Sequence, residues 1–317
     1  MHAGSHLGDS GVLRVRGRCL MSGKGGSDHS ELLIEPDELM RRIDSYADLT
    51  MLTTVALEAI EMAGAPNCSV PELVEVIEKD PRLVTGILTL SNSVAYQTRR
   101  EVKSVQHAVM LVGLSQCQNL IVSCSIQSLL TKMPSSVEWA RNVIWRHSLQ
   151  TATLARYFNQ QLDLGFEGEE FSGAIVHDIG RLLLAAAAPD VFEVVDRMTF
   201  HESRRILQTE RALIGTDHCE MGAIVGVADK LPAALVEVIR YHHTPEEARE
   251  HAPLVRLVAA ADEAANRLMH YGTAEGFEIE DDSAFAKFLQ PLSISWEEGT
   301  RLAVEGMWLV DDVAGTS

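Results

Sequence analysis

Histidines and acidic residues interrupt apolar helical patterns at several separate places in the second half of the chain. The pair His177-Asp178 lies in an otherwise apolar run that reads Ala-Ile-Val-His-Asp-Ile-Gly-Arg-Leu-Leu-Leu. Burying an imidazole and a carboxylate there is unfavourable unless each finds a polar partner. A bound metal ion would provide such a partner, and a hydrogen-bonded His–Asp pair in the core is the alternative.

Four other segments show the same pattern. His147 continues a stripe of mostly apolar residues spaced by three or four, so it faces inward on its helix. His218 lies in the first turn of a helix, His242-His243 ends another, and Asp262 interrupts a third apolar face. A single shared polar centre would satisfy all of these groups at once. Mixed His and Asp ligation is typical of iron, manganese, zinc or nickel and not of calcium, and two such ions could bind a phosphate and activate water.

The elements that position these residues are helices. From Pro36 onward the apolar residues recur with a period near 3.6, which is typical of helices. No run of alternating β-branched residues bounded by hairpin turns occurs. We therefore predict an all-α fold of roughly a dozen helices without a significant sheet. The predicted helix starts are three capping boxes, Asp80-Pro81, Ser104 and Thr216; the capping boxes are Ser69 with Glu72, Ser135 with Glu138 and Ser295 with Glu298. The predicted helix stops are Gly64, Gly113 and Gly272.

Composition shifts along the chain predict four segments. Residues 1–30 are rich in glycine and arginine without a helical period, which predicts a flexible tail. The breaker Met133-Pro134-Ser135-Ser136 predicts a boundary between an N-terminal helical subdomain (31–133) and a His-rich helical subdomain (134–272). Residues 273–317 are interpreted as a C-terminal helical extension. Whether residues 1–30 belong to the native product is left open by the sequence.

Charge and cysteine content exclude several functional classes. The 317 residues contain 27 Lys plus Arg against 45 Asp plus Glu, a net charge of −18, and no basic stripe follows the first 30 residues. This predicts no direct nucleic-acid partner and no docking on an anionic membrane. The five Cys are an odd number and form no CxxC pair, which predicts free thiols in a cytoplasmic protein.

A series of short motifs over roughly residues 45–265 resembles the HDOD family, the HD-related output domain of bacterial signalling proteins. The motifs of the first half are Asp80-Pro81, the run 87–93 with Tyr96, Ser104-Val105, Ala108-Val109 and Leu111-Val112-Gly113. Those of the second half are Trp145-Arg146-His147-Ser148, His177-Asp178-Ile179-Gly180-Arg181, Gly215-Thr216-Asp217-His218 with Glu220 and Gly222, Leu231-Pro232 and Tyr241-His242-His243.

The resemblance implies an N-terminal helical subdomain packed on an HD-like helical core. The HD superfamily contains metal-dependent phosphohydrolases, and its HD-GYP branch hydrolyses cyclic di-GMP. Carried over by position, the metal ligands would be His147, His177, Asp178, His218, His242, His243 and Asp262. Arg181, which replaces the usual Lys, would bind a phosphate or another ligand.

Two further departures from the HD-GYP pattern argue against turnover. Val143 stands where that pattern has a Glu, and an acidic segment follows His243 in place of a Gly-Tyr-Pro substrate loop. We therefore expect a non-catalytic signal-transduction module that acts through a signalling protein partner or a small nucleotide, with a divalent transition metal or none. The alternatives are a metal-dependent phosphohydrolase, and an adaptor whose polar cluster is only internal hydrogen bonding.

Overall fold

The computed structural model describes residues 12–15, 18–21, 32–45, 52–65, 67–92, 101–133, 135–199, 205–280 and 283–314. The chain divides after residue 31 into two units, which are described separately. In the first unit, strands β1 (Val12–Val15) and β2 (Arg18–Met21) pair antiparallel. The sequence analysis does not anticipate this short hairpin. The flexible tail stays a prediction, because the remainder of residues 1–30 lies outside the described residues.

The described part of the second unit is helical, which confirms the predicted all-α class. Its sixteen α-helices exceed the predicted dozen. Their bounds are α1 Pro36–Ser45, α2 Thr54–Ala63, α3 Val70–Ile77, α4 Pro81–Ser91, α5 Val105–Val112, α6 Leu114–Lys132, α7 Glu138–Leu162, α8 Glu169–Val176, α9 Ile179–Ala187, α10 Pro189–Thr199, α11 Ile206–Ile214, α12 His218–Ala228, α13 Ala233–Tyr241, α14 Ala252–Tyr271, α15 Ala284–Leu289 and α16 Trp296–Ala314. Short 3₁₀ turns cover Ser135–Val137 and Gln290–Leu292. Among the described residues, no helix combines the length and the apolarity needed to cross a bilayer.

Side-chain caps begin several helices where the sequence predicts them. The capping box of Ser69 forms, the Asp80 carboxylate accepts from the Arg82 N–H, and the Ser104 hydroxyl accepts from the His107 N–H. The Ser295 hydroxyl accepts from the Glu298 N–H at 3.2 Å. The start predicted at Ser135 is wrong, because Ser135–Val137 forms a 3₁₀ turn and α7 begins at Glu138. The cap predicted at Thr216 is also wrong: Asp217 caps α12 by accepting from the Glu220 N–H at 2.8 Å. Asp217 takes this position because it directly precedes the first helical residue.

The N-terminal helices α2 to α6 pack around an apolar core. Helix α6 contacts both α2 and α4, and Ile121 near its centre is fully buried. Helix α1 instead packs on α9, and the Leu33 N–H donates to the Leu213 carbonyl at 2.8 Å. The first described helix of this unit is therefore attached to the His-rich half. The boundaries predicted at residues 133 and 272 stay predictions.

The His-rich half is built around the long helix α7, which packs on α8 and α14. Helix α9 packs on α12 at a close approach that only a glycine permits. A Cβ added at Gly180 would lie 1.9 Å from the His218 carbonyl oxygen. This approach brings the start of α9 against the start of α12, where Asp178 and His218 lie.

Candidate functional site

The sequence His177-Asp178 forms a break between two helices, where the sequence predicts one continuous helical run. Helix α8 ends at Val176, and Asp178 precedes α9 with φ −96° and ψ 16°, outside the α-helical region. The His177 Nδ1–H donates to the Ala174 carbonyl at 2.7 Å. The break turns both side chains toward the helices packed against them, and both are at most 3 % exposed.

The structure brings all seven predicted ligand residues together from α7, the α8–α9 break, α12, the end of α13 and α14. They form two groups, and the potential ligand atoms within each group lie within 4.8 Å of one another. Group A is His147, His177 and Asp262. Group B is Asp178, His218, His242 and His243. That these residues hold a metal stays a prediction.

The Asp178 carboxylate faces both groups. Its Oδ1 lies 3.4 Å from His218 Nε2 and 3.8 Å from His242 Nε2 of group B. Its Oδ2 lies 3.9 Å from His147 Nε2 and 3.8 Å from His177 Nε2 of group A. A carboxylate in this position can supply one oxygen to each of two ions.

Group A is held by a short chain of polar contacts. His147 Nε2 lies 2.8 Å from Asp262 Oδ1 and 3.3 Å from His177 Nε2. The amide of Asn266, one helical turn beyond Asp262, donates to the same Oδ1 at 2.9 Å. The Nδ1 of His147 is buried without a hydrogen-bond partner among the described residues. His147 Nε2, His177 Nε2 and Asp262 Oδ1 therefore lie close together.

Group B is oriented by acceptors behind its imidazoles. His218 Nδ1 lies 2.7 Å from Glu210 Oε2, which also accepts from the His218 N–H at 2.9 Å. His242 Nδ1 lies 3.0 Å from the Ile239 carbonyl oxygen. Because both partners are acceptors, both Nδ1 atoms carry the hydrogen. The two Nε2 atoms, 3.3 Å apart, then present lone pairs to each other unless a proton or a cation lies between them.

The charges around the cluster divide its groups into protonated and neutral members. Burial opposes the charged imidazolium of His218, yet the neighbouring Cys219 and Glu210 raise its pKa well above the usual value. Burial likewise opposes protonation of His177, but Asp178 and Asp262 raise its pKa.

Two imidazoles and two carboxyls of the cluster have lowered pKa values instead. Burial and the adjacent imidazoles lower the pKa of His242, and burial lowers the pKa of His243 to about 4. Although burial favours neutral carboxyls, the surrounding cationic groups keep the pKa values of Asp178 and Asp262 well below their usual range. The buried carboxylates therefore remain ionised, and positive charge must lie beside them.

This donor set fits a divalent transition metal. It combines neutral imidazole nitrogens with ionised carboxylate oxygens, and their convergent atoms lie at ligand-to-ligand separations. Imidazole ligands in metal sites usually donate their other nitrogen to an oxygen acceptor, which His177, His218 and His242 do here. The ion's positive charge would take the place of the protons that the ion-free cluster requires.

Two residues that orient the cluster were missed by the sequence reasoning. Glu210 is 1 % exposed and lies on the buried face of α11 between Ile206 and Ile214. An acid on an apolar stripe is the same signal that identified Asp262, so the spacing could have found it. Asn266 is four residues after Asp262 and therefore shares its helical face.

Arg181 lies at the edge of the cluster and is paired with two acids. One guanidinium nitrogen lies 3.4 Å from Asp178 Oδ2, and the other lies 2.8 Å from Asp196 Oδ1. Its predicted binding of a phosphate or another ligand stays a prediction. The pairing means that an anionic ligand would have to compete with two carboxylates.

Two cavities adjoin the cluster and share part of their lining. A cavity of about 130 Å³ lies beside His147, Asp178 and Asp262, with an apolar wall that includes Trp139 and Val143. A cleft of about 960 Å³ also has Asp262 in its lining. The residues that line both are Ile206, His243, Asp262, Asn266 and His270. Val143 thus stands beside the site and offers no ligand atom.

The basic residues of the large cleft already have partners. Arg211 pairs with Asp217 at 2.6 Å, and Lys287 pairs with Glu246 at 3.3 Å. Arg267 donates to the Glu275 carbonyl at 2.9 Å and packs over the Tyr271 ring. The acidic residues Glu263, Glu278 and Glu280 line the same cleft. The cleft therefore offers a dianionic ligand little uncompensated positive charge.

Comparison with known sequences identifies a domain family over most of this region. The sequence profile of the HDOD domain matches residues 49–245. An uncharacterized protein of Treponema pallidum is 26% identical over 226 residues, which are 69% of this chain and 42% of that protein. The chain thus spans less than half the length of this relative.

Solved structures share the fold. An HDOD domain protein of unknown function from Geobacter sulfurreducens has a TM-score of 0.65 and 23% identity, covering 87% of this chain and 97% of that one. A protein of Shewanella amazonensis, named as a candidate phosphohydrolase, has a TM-score of 0.62 and 20% identity, covering 87% of this chain and 98% of that one. At these identities the structures establish a common fold and not a common activity.

Proposed function

Because this chain belongs to the HDOD family, we propose that it is a regulatory module of signal transduction that works without turnover. In this proposal the His/Asp cluster holds a divalent transition metal, and occupancy of the cluster sets the conformation that a partner recognises. The partner is a signalling protein, or the signal is a small nucleotide that reaches the cluster through the large cleft.

The observation that carries the proposal is the double ion pair of Arg181. In a hydrolase with this cluster, a cation beside Asp178 that is free of ion pairs would help the bound ions to hold the phosphate of the substrate. Here the guanidinium is shared by Asp178 and Asp196, at 3.4 and 2.8 Å. The position of Val143 beside the small cavity supplies no acid to assist a proton transfer. Both features favour an ion that organises the helices over an ion that performs hydrolysis.

An ion in this cluster would join helices that are far apart in sequence. His147, His177 and Asp262 would hold it in group A, and Asp178, His218, His242 and His243 would hold it in group B. The ion would supply the positive charge that the buried carboxylates require. Since α1 packs on α9, which begins beside Asp178, a change at the cluster can reach the surface formed by α1. In this proposal the protein has two conformations, and the ion shifts the equilibrium between them only to the extent that it binds one more tightly than the other.

The test combines metal analysis with a search for turnover. Purified protein is analysed for its metal content and titrated with Mn²⁺, Fe²⁺, Ni²⁺ and Zn²⁺ by calorimetry. It is then assayed with phosphomonoesters and with linear and cyclic phosphodiesters. We expect binding of at least one of these ions and no turnover. Metal-dependent hydrolysis that Asp178→Ala abolishes would contradict the proposal.

Asp178→Asn tests the cluster at the carboxylate whose two oxygens face group A and group B. The variant keeps the size of the side chain and removes the charge that faces both groups, so the affinity for the ion should fall at least about 100-fold. Glu61→Gln, an exposed change on α2, is the control and should bind as the wild type does. Equal affinity in Asp178→Asn and the control would mean that the ion binds without the Asp178 carboxylate, and it would contradict the proposed site.

The second candidate function is a metal-dependent phosphohydrolase. It is favoured by the Asp178 carboxylate, which faces two ligand groups as a carboxylate shared by two ions would. A cavity of about 130 Å³ beside Asp178 offers room for a small ligand. In this case Arg181 must leave Asp196 when substrate binds, so Asp196→Asn should raise the rate of hydrolysis. A rate of zero in both proteins would exclude this candidate for the substrates assayed.

A further inference from the structure

Cys219 places a thiol against the ligand atoms of group B. It follows His218 in the first turn of α12 and is 3 % exposed. Its Sγ lies 3.4 Å from His218 Nε2, 3.8 Å from His242 Nδ1 and 4.0 Å from His242 Nε2. The sequence analysis interprets this residue only as one of five free thiols, and the ligand set implied by the family resemblance does not contain it.

Two of the nitrogens near the thiol are free of protein acceptors and can bind a ligand. The Nδ1 atoms of His218 and His242 are turned to Glu210 and to the Ile239 carbonyl, so the Nε2 atoms face inward. The two Nε2 atoms are 3.3 Å apart. Two ligands of one tetrahedral ion, bound at about 2.0 to 2.3 Å, are separated by roughly 3.3 to 3.7 Å. The contact of Sγ with His218 Nε2 falls in this range, and the longer contact with His242 shortens as sulfur moves to the ion.

We propose that the thiol of Cys219 is a ligand of the ion held by His218 and His242, an inference that rests on the metal site of the proposed function. On binding, the S–H bond breaks, a bond from sulfur to the metal forms, and the proton leaves to the buffer. A bound divalent ion deprotonates a coordinating thiol outright. No oxidant or reductant takes part in this step.

The thiolate makes the two groups chemically different. Group B gains a soft sulfur ligand, whereas group A has only imidazole and carboxylate ligands. Soft ligands select zinc and its spectroscopic substitute cobalt over manganese and magnesium. Group B therefore prefers zinc, and group A accepts the harder divalent ions. Cys219→Ala would remove this difference in metal preference between the two groups.

Cobalt titration of the full chain tests the assignment directly. A cysteine bound to Co²⁺ produces a sulfur-to-metal charge-transfer band in the near ultraviolet, whereas nitrogen and oxygen ligands give only the weaker visible bands. We expect the ultraviolet band in the wild type and in Cys124→Ala, a matched change of a buried thiol on α6. Cys219→Ala should lose the band, keep visible cobalt bands and bind zinc at least about tenfold more weakly. Its affinity for Mn²⁺ should stay within about twofold of the wild-type value.

The outcomes separate this inference from the proposed function. Cobalt binding without the ultraviolet band in the wild type, or an unchanged band in Cys219→Ala, would overturn the role of Cys219 and leave the metal site intact. The thiol would then only donate a hydrogen bond to His218. No cobalt uptake by the wild type would overturn both. Circular dichroism of Cys219→Ala must match the wild type, and Cys219→Ser provides a second variant if the alanine protein does not fold.

Discussion

The two halves of the helical unit bury different kinds of polar side chain. Among the described residues of α2 to α6, the buried polar side chains are serines, namely Ser91, Ser123 and Ser125. The half from α7 to α14 buries imidazoles and carboxylates instead, with Asp178 and His218 as the central examples. An apolar core is stable by packing alone, whereas buried charges are stable only when they compensate one another. We therefore expect the second half to be the part of the protein that responds to protons and to ions.

The largest effect on the free energy of unfolding is expected from a cavity in the apolar half, which tests the contrast between the two halves. Ile121→Ala on α6 should lower the free energy of unfolding by about 2 to 5 kcal/mol, because it removes fully buried methyl groups without a replacement. Chemical denaturation measures the loss, and Ile121→Val, expected to cost about 0.5 to 1.5 kcal/mol, is the graded control. The affinity of the folded protein for the ion should not change. A weaker affinity in Ile121→Ala would show that the two halves are coupled through their packing.

A smaller effect is expected at the residue that orients group B. Glu210→Gln removes the carboxylate that accepts from His218 Nδ1, and the affinity for the ion should fall about 10- to 100-fold. The control is Glu170→Gln, which changes a buried glutamate that accepts from the Gly168 N–H. Glu170 lies about 10 Å from His177 along α8. Calorimetric titration of both variants compares them, and equal losses would mean that Glu210 acts through general stability.

The smallest effect on the affinity for the ion is expected from a change of pH, measured on the wild-type protein. His177 and His218 have raised pKa values in the ion-free protein, so they hold protons that a bound ion must displace. His243, with its pKa lowered to about 4, is already neutral and releases none. The affinity should therefore fall as pH falls below the raised pKa values of these two imidazoles, by up to about tenfold per pH unit for each proton displaced. An affinity that is independent of pH would contradict the protonated state of both imidazoles.

The sequence was sufficient to predict the all-α class and the inward direction of His147 and Asp262. Helical periodicity is a local property, so the stripe containing His147 and the apolar face interrupted by Asp262 can be recognised within a few turns. Caps such as Asp80 and Ser104 depend on neighbouring residues for the same reason, and the structure places them as predicted. The motif order was also enough to identify the family.

Tertiary structure alone decided how the polar residues face one another. The separation of His218 Nε2 from His242 Nε2, and the two-sided position of Asp178, depend on how α9, α12 and α13 pack. The Gly180 contact permits that packing, and nothing in the local sequence gives its distance. The break at His177-Asp178 and the pairing of Arg181 with Asp196 likewise arise from contacts between separate helices. Periodicity determines which face of a helix is buried, and only the packing of the helices determines what that face meets.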